Sequence, residues 1–266
     1  MKIVDATWEK RNLLLETKEI IVQEGDTTEE LEEALRNSNE EYVVVKLPLT
    51  EIEKKFLLTD YGYTHVELMA ELESENVLSP LDARKRMIFD RVETVPMDFE
   101  QRKKLVQRFL NGQFKTDRIS VDPYFPAEMA SRRYAGWLCD EMKHGAAFWQ
   151  FEMEGEEIGF FVERQISKDV YNAVLSGIYE PYQGQGLGFL VVYKAYSIYR
   201  PRGARRFVAE VSVNDLKGLR RTLTSGRKLN KLTHVYVKHN LPKEEYRKRV
   251  SEHAETLLSE AVDWCC

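Results

Sequence analysis

The chain has 266 residues, 43% of them hydrophobic and 31% charged, with 14 Gly and 8 Pro. This is the make-up of one large or two small globular domains, and it excludes collagen-like, low-complexity and wholly disordered chains. With 39 Lys and Arg against 44 Asp and Glu the net charge is −5, so the molecule as a whole exerts no electrostatic pull on nucleic acid or anionic lipid, and any anion site must be local. The cysteines Cys139, Cys265 and Cys266 are too sparse and oddly placed for a disulfide framework and point to a reduced, cytoplasmic setting. The opening stretch from Met1 to Lys10 lacks the apolar run of a secretory signal, and nowhere does the chain approach the ~18 apolar residues of a membrane span.

In chain order, residues 1–80 alternate short β-branched runs with charged helical periods. Strands are predicted at Ile3–Trp8, Glu19–Val22, Tyr42–Leu47 and His65–Leu72, and helices at Thr28–Asn37 and Glu51–Asp60. The first helix is opened by a Thr27-Thr28-x-Glu30 cap signal. This is a small α/β half-domain. Residues 81–112 read as a helical connector, with Asp82–Arg91 and Phe99–Leu110 amphipathic and Pro80 suited to a first helical turn. Residues 113–240 form a second domain. A loop broken by Pro123 and Pro126 leads to a helix at Ala127–Lys143, a hairpin of Ala147–Met153 and Ile158–Arg164, and a strand at Asn172–Tyr179. A Gly-rich turn, a helix at Phe189–Tyr199, a strand at Phe207–Val213, a helix at Asp215–Ser225 and a strand at Leu232–Val237 follow. Antiparallel strands feeding a β-loop-α-β unit describe an α+β fold with a mixed, mostly antiparallel sheet flanked by helices. In residues 241–266 a charged helix, Lys243–Asp263, carries Tyr246, Val250, Leu257 and Val262, which could cover the core or a second copy in a homodimer; its own core is the favoured partner. An internal echo links Leu58-Thr59 and Thr64-His65-Val66 to Leu223-Thr224 and Thr233-His234-Val235. It reads either as two ordinary helix-to-strand junctions or as a degenerate duplication in which only the second copy kept a ligand loop.

The chemistry concentrates in Tyr179-Glu180-Pro181-Tyr182-Gln183-Gly184-Gln185-Gly186-Leu187-Gly188, between a strand and a helix. Three glycines let amides converge without a Cβ in the way, and the following helix adds the positive end of its dipole. The turn suits a polyanion. A nucleotide P-loop needs Gly-Lys-Ser/Thr where Leu187 and Gly188 stand, and a dinucleotide fingerprint needs G-x-G-x-x-G in a parallel βαβ unit with an acid at a strand end, whereas Glu210 lies mid-strand. Neither fits.

The pattern Gln183-x-x-Gly186-x-Gly188, with its surrounding strands and helices, resembles the pyrophosphate loop of the GNAT superfamily of acetyl-CoA-dependent N-acetyltransferases. The resemblance covers roughly residues 113–239. It implies acetyl-CoA as acyl donor, a small-molecule amine as acceptor, and direct attack of the amine on the thioester without an acyl-enzyme. It also implies that Gly177, Ile178 and Tyr179 hold the pantetheine arm, that Gln183, Gly184, Gln185, Gly186, Leu187 and Gly188 hold the pyrophosphate, and that Asn214 contacts the cofactor. Glu180 is the implied base, with bound water as the alternative. The family's acid is a Tyr about seven residues after that Asn; counting reaches Arg221, aligning on Ser225-Gly226 reaches Thr222, and neither is Tyr. That gap leaves room for a non-catalytic acyl-CoA sensor. Upstream, Phe114, Asp117, Arg118, Asp122, Tyr134 and Trp137 resemble the arrangement in the dTDP-fucosamine acetyltransferases. This implies a nucleotide-linked amino sugar held by Asp117, Arg118 and Tyr134; another metabolite, an antibiotic or a protein amine is the alternative acceptor, and Tyr134 and Trp137 are equally suited to packing.

From Arg200 to Lys231 ten basic residues face only Glu210 and Asp215. They suit a CoA 3′-phosphate, a nucleotide diphosphate or a solvated helix face; no base-stacking motif favours RNA. The five histidines show no metal-ligand spacing, and no metal site is expected.

Overall fold

The computed structural model describes residues 1–75, 78–112 and 116–253. The first half runs β1 (Lys2–Asp5), α1 (Thr7–Leu13), β2 (Thr17–Ile21), α2 (Thr28–Arg36), β3 (Tyr42–Pro48), α3 (Ile52–Asp60) and β4 (Thr64–Ser74). Next come α4 (Ala83–Arg91), β5 (Val92–Pro96), α5 (Phe99–Leu110), the short α6 (Arg118–Val121) and α7 (Ala127–Lys143). The second half continues with β6 (Ala147–Met153), β7 (Glu156–Ser167), β8 (Val170–Ile178), α8 (Leu190–Tyr199), β9 (Arg206–Ser212), α9 (Leu216–Thr224), β10 (Lys228–His239) and α10 (Lys243–Glu252).

All ten strands join one mixed sheet in the order β1-β2-β3-β10-β4-β9-β8-β7-β6-β5. Only β2–β3 and β8–β9 pair in parallel. The expected α+β class, with a largely antiparallel mixed sheet flanked by helices, is the class observed. Two expectations fail locally. Trp8 belongs to α1, because the chain turns at Ala6, whose amide bonds to the Thr17 carbonyl at 2.8 Å. The stretch expected as purely helical contains β5, whose Val92–Pro96 pairs along β6 and closes one sheet edge.

The two faces are covered differently. Leu105, Val106 and Phe109 of α5 and Ala135 and Leu138 of α7 pack on Phe148, Phe160 and Val162, while on the other face Leu190, Val191 and Ala195 of α8 cover Phe151, Phe161 and Phe207. In the first half Leu31 and Leu35 of α2 and Leu58 of α3 cover Ile20, Val43 and Val45; Tyr42 and Val44, alternate residues of the same strand, face Tyr246 and Val250 of α10. The Tyr246 hydroxyl donates to the Leu13 carbonyl at 2.9 Å, so this face of α10 docks on its own chain. Leu257 and Val262 lie outside the described residues.

The succession β2-α2-β3-α3-β4 repeats as β8-α8-β9-α9-β10, and the sheet order β2-β3-β10-β4-β9-β8 reads the same when the halves are exchanged. Each half places its last strand between the last two of the other: β10 lies between β3 and β4, and β4 lies between β10 and β9. The Thr-His-Val echo falls on these two central strands. His65 Nε2 and His234 Nδ1 meet at 2.9 Å there.

Candidate active site

The halves differ where a ligand could enter. In the first, β2 and β3 stay paired from Thr17–Tyr42 to Ile21–Lys46. In the second, β8 and β9 are in register only from Val170–Arg206 to Ala173–Ala209. Beyond Ala209, β9 follows β4 to the Met69–Ser212 pair, whereas β8 follows β7 to the Gly159–Ile178 pair. The strands diverge, and the edge of β8 that faces β9 is left without a ladder partner from Val174 onward.

The loop after β8 forms one end of this opening. Gly184 and Gly186 sit at φ of 78° and 77°, the left-handed region in which a Cβ is strained. Gln183 Nε2 donates to the Ile178 carbonyl at 2.9 Å and Gln185 Nε2 to the Pro181 carbonyl at 3.0 Å, so both glutamines brace the loop with their side chains. Among the described residues the amides of Gly184, Gln185 and Gly186 meet no protein acceptor. A 3₁₀ turn, Leu187–Phe189, then runs into α8, and neither start carries a side-chain cap. The corresponding start of α2 is capped from within: Glu30 N donates to Thr27 Oγ1 at 3.1 Å, and Thr27 N donates to Glu30 Oε2 at 2.8 Å. The helix start of the first half is closed by its own carboxylate; that of the second is left open.

A cleft of 680 Å³ lies against this loop, lined by Gly177, Ile178, Gln183, Gly184, Gly186, Leu187 and Gly188. Lys85, Lys217, Arg220 and Arg221 also line it, against the single carboxylate of Asp215. Asp215 caps α9 by accepting from the Gly218 amide at 2.9 Å. A wedge of 120 Å³ between the diverging strands shares Thr116, Ser176, Asp215 and Arg221 with the cleft and adds Tyr134, Glu210, Thr222 and Arg227. Burial lowers the basicity of Arg221 and Arg227, and Arg221 lowers that of Arg227 further.

Of the loop residues expected to hold a cofactor, all but Gln185 and Tyr179 line one cleft, and Tyr179 turns its ring into the core. That ring stacks on Phe160 at 5.8 Å and lies under the Arg108 guanidinium at 4.1 Å. Asn214 also points elsewhere. It lines a different hollow with His65, Asp122 and His239, and its neighbour Asp215 occupies the cleft. Glu180 is exposed and lines neither hollow. Thr222 does line the wedge, but its hydroxyl donates to the Gly218 carbonyl at 2.8 Å within its own helix.

The upstream group separates as well. Arg118, 7% exposed, reaches Glu9 at 3.2 Å and Glu19 at 3.3 Å, and Arg133 adds a 2.7 Å contact to Glu9. This is an internal ion cluster between the halves. Asp117 caps α6 through the Ile119 amide at 2.9 Å and bonds to the Tyr134 hydroxyl; Tyr134 alone of the three expected acceptor contacts faces the wedge. Burial and Asp117 hold the Tyr134 phenol well above its ordinary pKa, so it stays a protonated donor. Asp122 takes His239 Nε2 at 2.8 Å, Trp137 donates to Glu141 at 3.0 Å, and Phe114 lies outside the described residues.

Sequence reasoning missed Glu210 and Arg227 as site residues. Alternation along β9 was the available signal for Glu210: Phe207 faces α8, so by alternation Glu210 and Ser212 face the α7 side, where Ser212 Oγ donates to the Thr116 carbonyl at 3.2 Å. Arg227 stood in the basic run without anything to distinguish it. Among the described residues no group of three or more His, Cys, Asp or Glu side chains could hold a metal, and no helix is long and apolar enough to cross a membrane. Cys139 is disulfide-bonded, contrary to the expected unbridged set; Cys265 and Cys266 lie outside the described residues.

Residues 114–221 match the acetyltransferase (GNAT) family. The chain has a GNAT-like α+β fold. No curated protein matches the chain in sequence. A GCN5-related N-acetyltransferase from Sphaerobacter thermophilus superposes with a TM-score of 0.54 at 13% identity over 76% of the chain, which spans 60% of that longer protein. A functionally unknown conserved protein from Staphylococcus epidermidis gives 0.57 at 12% identity over 85% of both chains. A tandem GNAT protein from the clavulanic acid biosynthesis pathway gives 0.53 at 9% identity over 85% of this chain and 76% of its own. These are likenesses of GNAT fold, at identities that carry no substrate.

Proposed function

We propose that the chain is a CoA-thioester-dependent N-acyltransferase acting on a primary amine, with acetyl-CoA as the donor implied by the family. The observation that carries this reading is the coincidence of unbonded loop amides, four cations and the unpaired edge of β8 around one cleft. Amides and cations would hold the phosphates, and the free edge of β8 would take the pantetheine amides as a sheet takes a further strand. The amine would enter from the α7 side. There Glu210, which lines the wedge as Glu180 does not, would take its proton, and Tyr134 would donate to charge that builds on the thioester. The pathway-named tandem GNAT protein and the repeated succession of elements support a duplicated origin, with residues 1–80 as the degenerate copy and residues 113–240 as the one that kept the donor site.

For the acceptor, a nucleotide-linked amino sugar stays the first candidate to assay, now resting on Tyr134 alone, since Arg118 is spent in the core. The test is calorimetric titration with CoA and acetyl-CoA, followed by thiol release over a panel of amines that includes a nucleotide amino sugar. Binding with turnover on at least one amine is expected. Binding without turnover on any would overturn the enzyme reading, and no binding of CoA would overturn the whole assignment.

A further inference from the structure

Burying a guanidinium without a counter-ion is costly, because the charge cannot be shed at physiological pH and loses its hydration. Arg227 is 6% exposed, and its Nε is buried without a hydrogen-bond partner. The Nε of Arg221 is likewise buried and unpartnered. Burial lowers the basicity of Arg227, and repulsion from the Arg221 guanidinium lowers it further. Of the carboxylates nearby, Asp215 caps α9 and acts on Arg221, Glu163 is taken by Arg202 at 2.6 Å and Trp149 at 2.8 Å, and Glu210 lines the same wedge but is exposed to solvent. The one polar group that acts favourably on Arg227 is the Tyr199 hydroxyl, itself neutral and without a bonded partner.

Both arginines line the wedge, Arg221 where it meets the cleft and Arg227 in the wedge alone. Its other walls include Val174, Leu175, Val191, Val192 and Ala209. The volume of 120 Å³ exceeds the need of an acetyl methyl group. Polar groups such as Ser176, Ser212 and Glu210 share the lining with these apolar residues, and the apolar stretch leading to the Arg227 guanidinium matches a short aliphatic chain that terminates in a carboxylate.

We infer that the acyl donor is the CoA thioester of a short dicarboxylic acid, its free carboxylate seated on Arg227. This rests on the CoA-thioester reading above and specifies the acyl group. In the reaction the amine nitrogen attacks the thioester carbonyl, the C–N bond forms and the C–S bond breaks, and CoA leaves as thiolate with the bonding pair. The ammonium loses two protons, one ending on the thiolate and one in solvent; the distal carboxylate changes no bond.

The experiment compares free CoA, acetyl-CoA, pentanoyl-CoA and succinyl-CoA by calorimetric titration on the wild-type chain and on Arg227→Leu, with a thermal melt of each. The wild type is expected to bind succinyl-CoA at least tenfold more tightly than acetyl-CoA or its uncharged analogue pentanoyl-CoA. Arg227→Leu is expected to abolish that preference, change the affinity for free CoA by less than twofold, and melt no lower than the wild type in the absence of ligand. Equal or tighter binding of acetyl-CoA by the wild type, or a preference that survives in Arg227→Leu, would overturn the acyl assignment while leaving the CoA reading intact. Failure of every thioester and of free CoA to bind would overturn both.

Discussion

At the scale of single residues, the site depends on which groups the fold has already spent. Arg118 was expected to meet a substrate, yet it neutralises Glu9 and Glu19 deep between the halves. Removing one member of such a buried cluster strands the others, at a cost of about 3–5 kcal/mol. Arg118→Met should therefore appear as a large loss in denaturant midpoint; a shift in acceptor KM with unchanged stability would show that it touches substrate after all. Glu210 and Glu180 make the opposite comparison. The first lines the wedge and the second does not. A positioned general base is worth about 10²–10⁴ in rate, so Glu210→Gln should lower kcat by that order, with Glu180→Gln within twofold of wild type. At Gly186 the positive φ sets the outcome. A built Cβ meets nothing within 4 Å, so the penalty for valine is conformational, about 1–2 kcal/mol. Gly186→Val should weaken CoA binding tenfold or more and lower the melting temperature by a few degrees; unaltered affinity would remove the loop from the site.

At the scale of elements, the two central strands carry a pH response. Burial, Lys55 and His65 bring the His234 pKa down to about 4, and His65 is lowered as well, chiefly by burial. The unfolded chain takes up a proton near the ordinary value of about 6.5, whereas the folded chain resists until near 4. The contribution of His234 is thus complete above pH 6.5 and fades as the pH falls toward 4. The wild type should lose more melting temperature than His234→Gln across that interval, and parallel curves would contradict it. These strands also show where the sequence was readable. Their Thr-His-Val echo, the Thr27–Glu30 cap and the Gly-rich turn were visible because each is a local pattern with a local cause. β5 was not, because five residues between two amphipathic helices become a strand only when β6 offers its edge. Asn214 and Asp215 could not be told apart, since the turn after β9 decides which of two adjacent side chains enters the cleft. The unpaired state of Arg227 is likewise a property of what the fold does not bring near it.

At the scale of the whole molecule, the exchanged strands predict joint unfolding. Removing β4 would expose both β9 and β10, and removing β10 would separate β3 from β4. Calorimetry should show a single transition for the full chain, and residues 113–253 expressed alone should fail to give a cooperative melt. Two separated transitions would mean that the halves are independent bodies. The same continuity lets a site built in one half depend on the other: the Arg118 cluster joins α6 to α1 and β2 a few residues from Thr116 at the mouth of the wedge.

The exchange has a cost during biosynthesis. β3 emerges from the ribosome with its inner edge waiting for β10, the last strand among the described residues. At about 5–20 residues per second the nascent polypeptide spends roughly ten to forty seconds with that Val-rich edge bare. Shielding by a chaperone during elongation, rather than the final free energy of folding, would then set how much active protein a cell recovers.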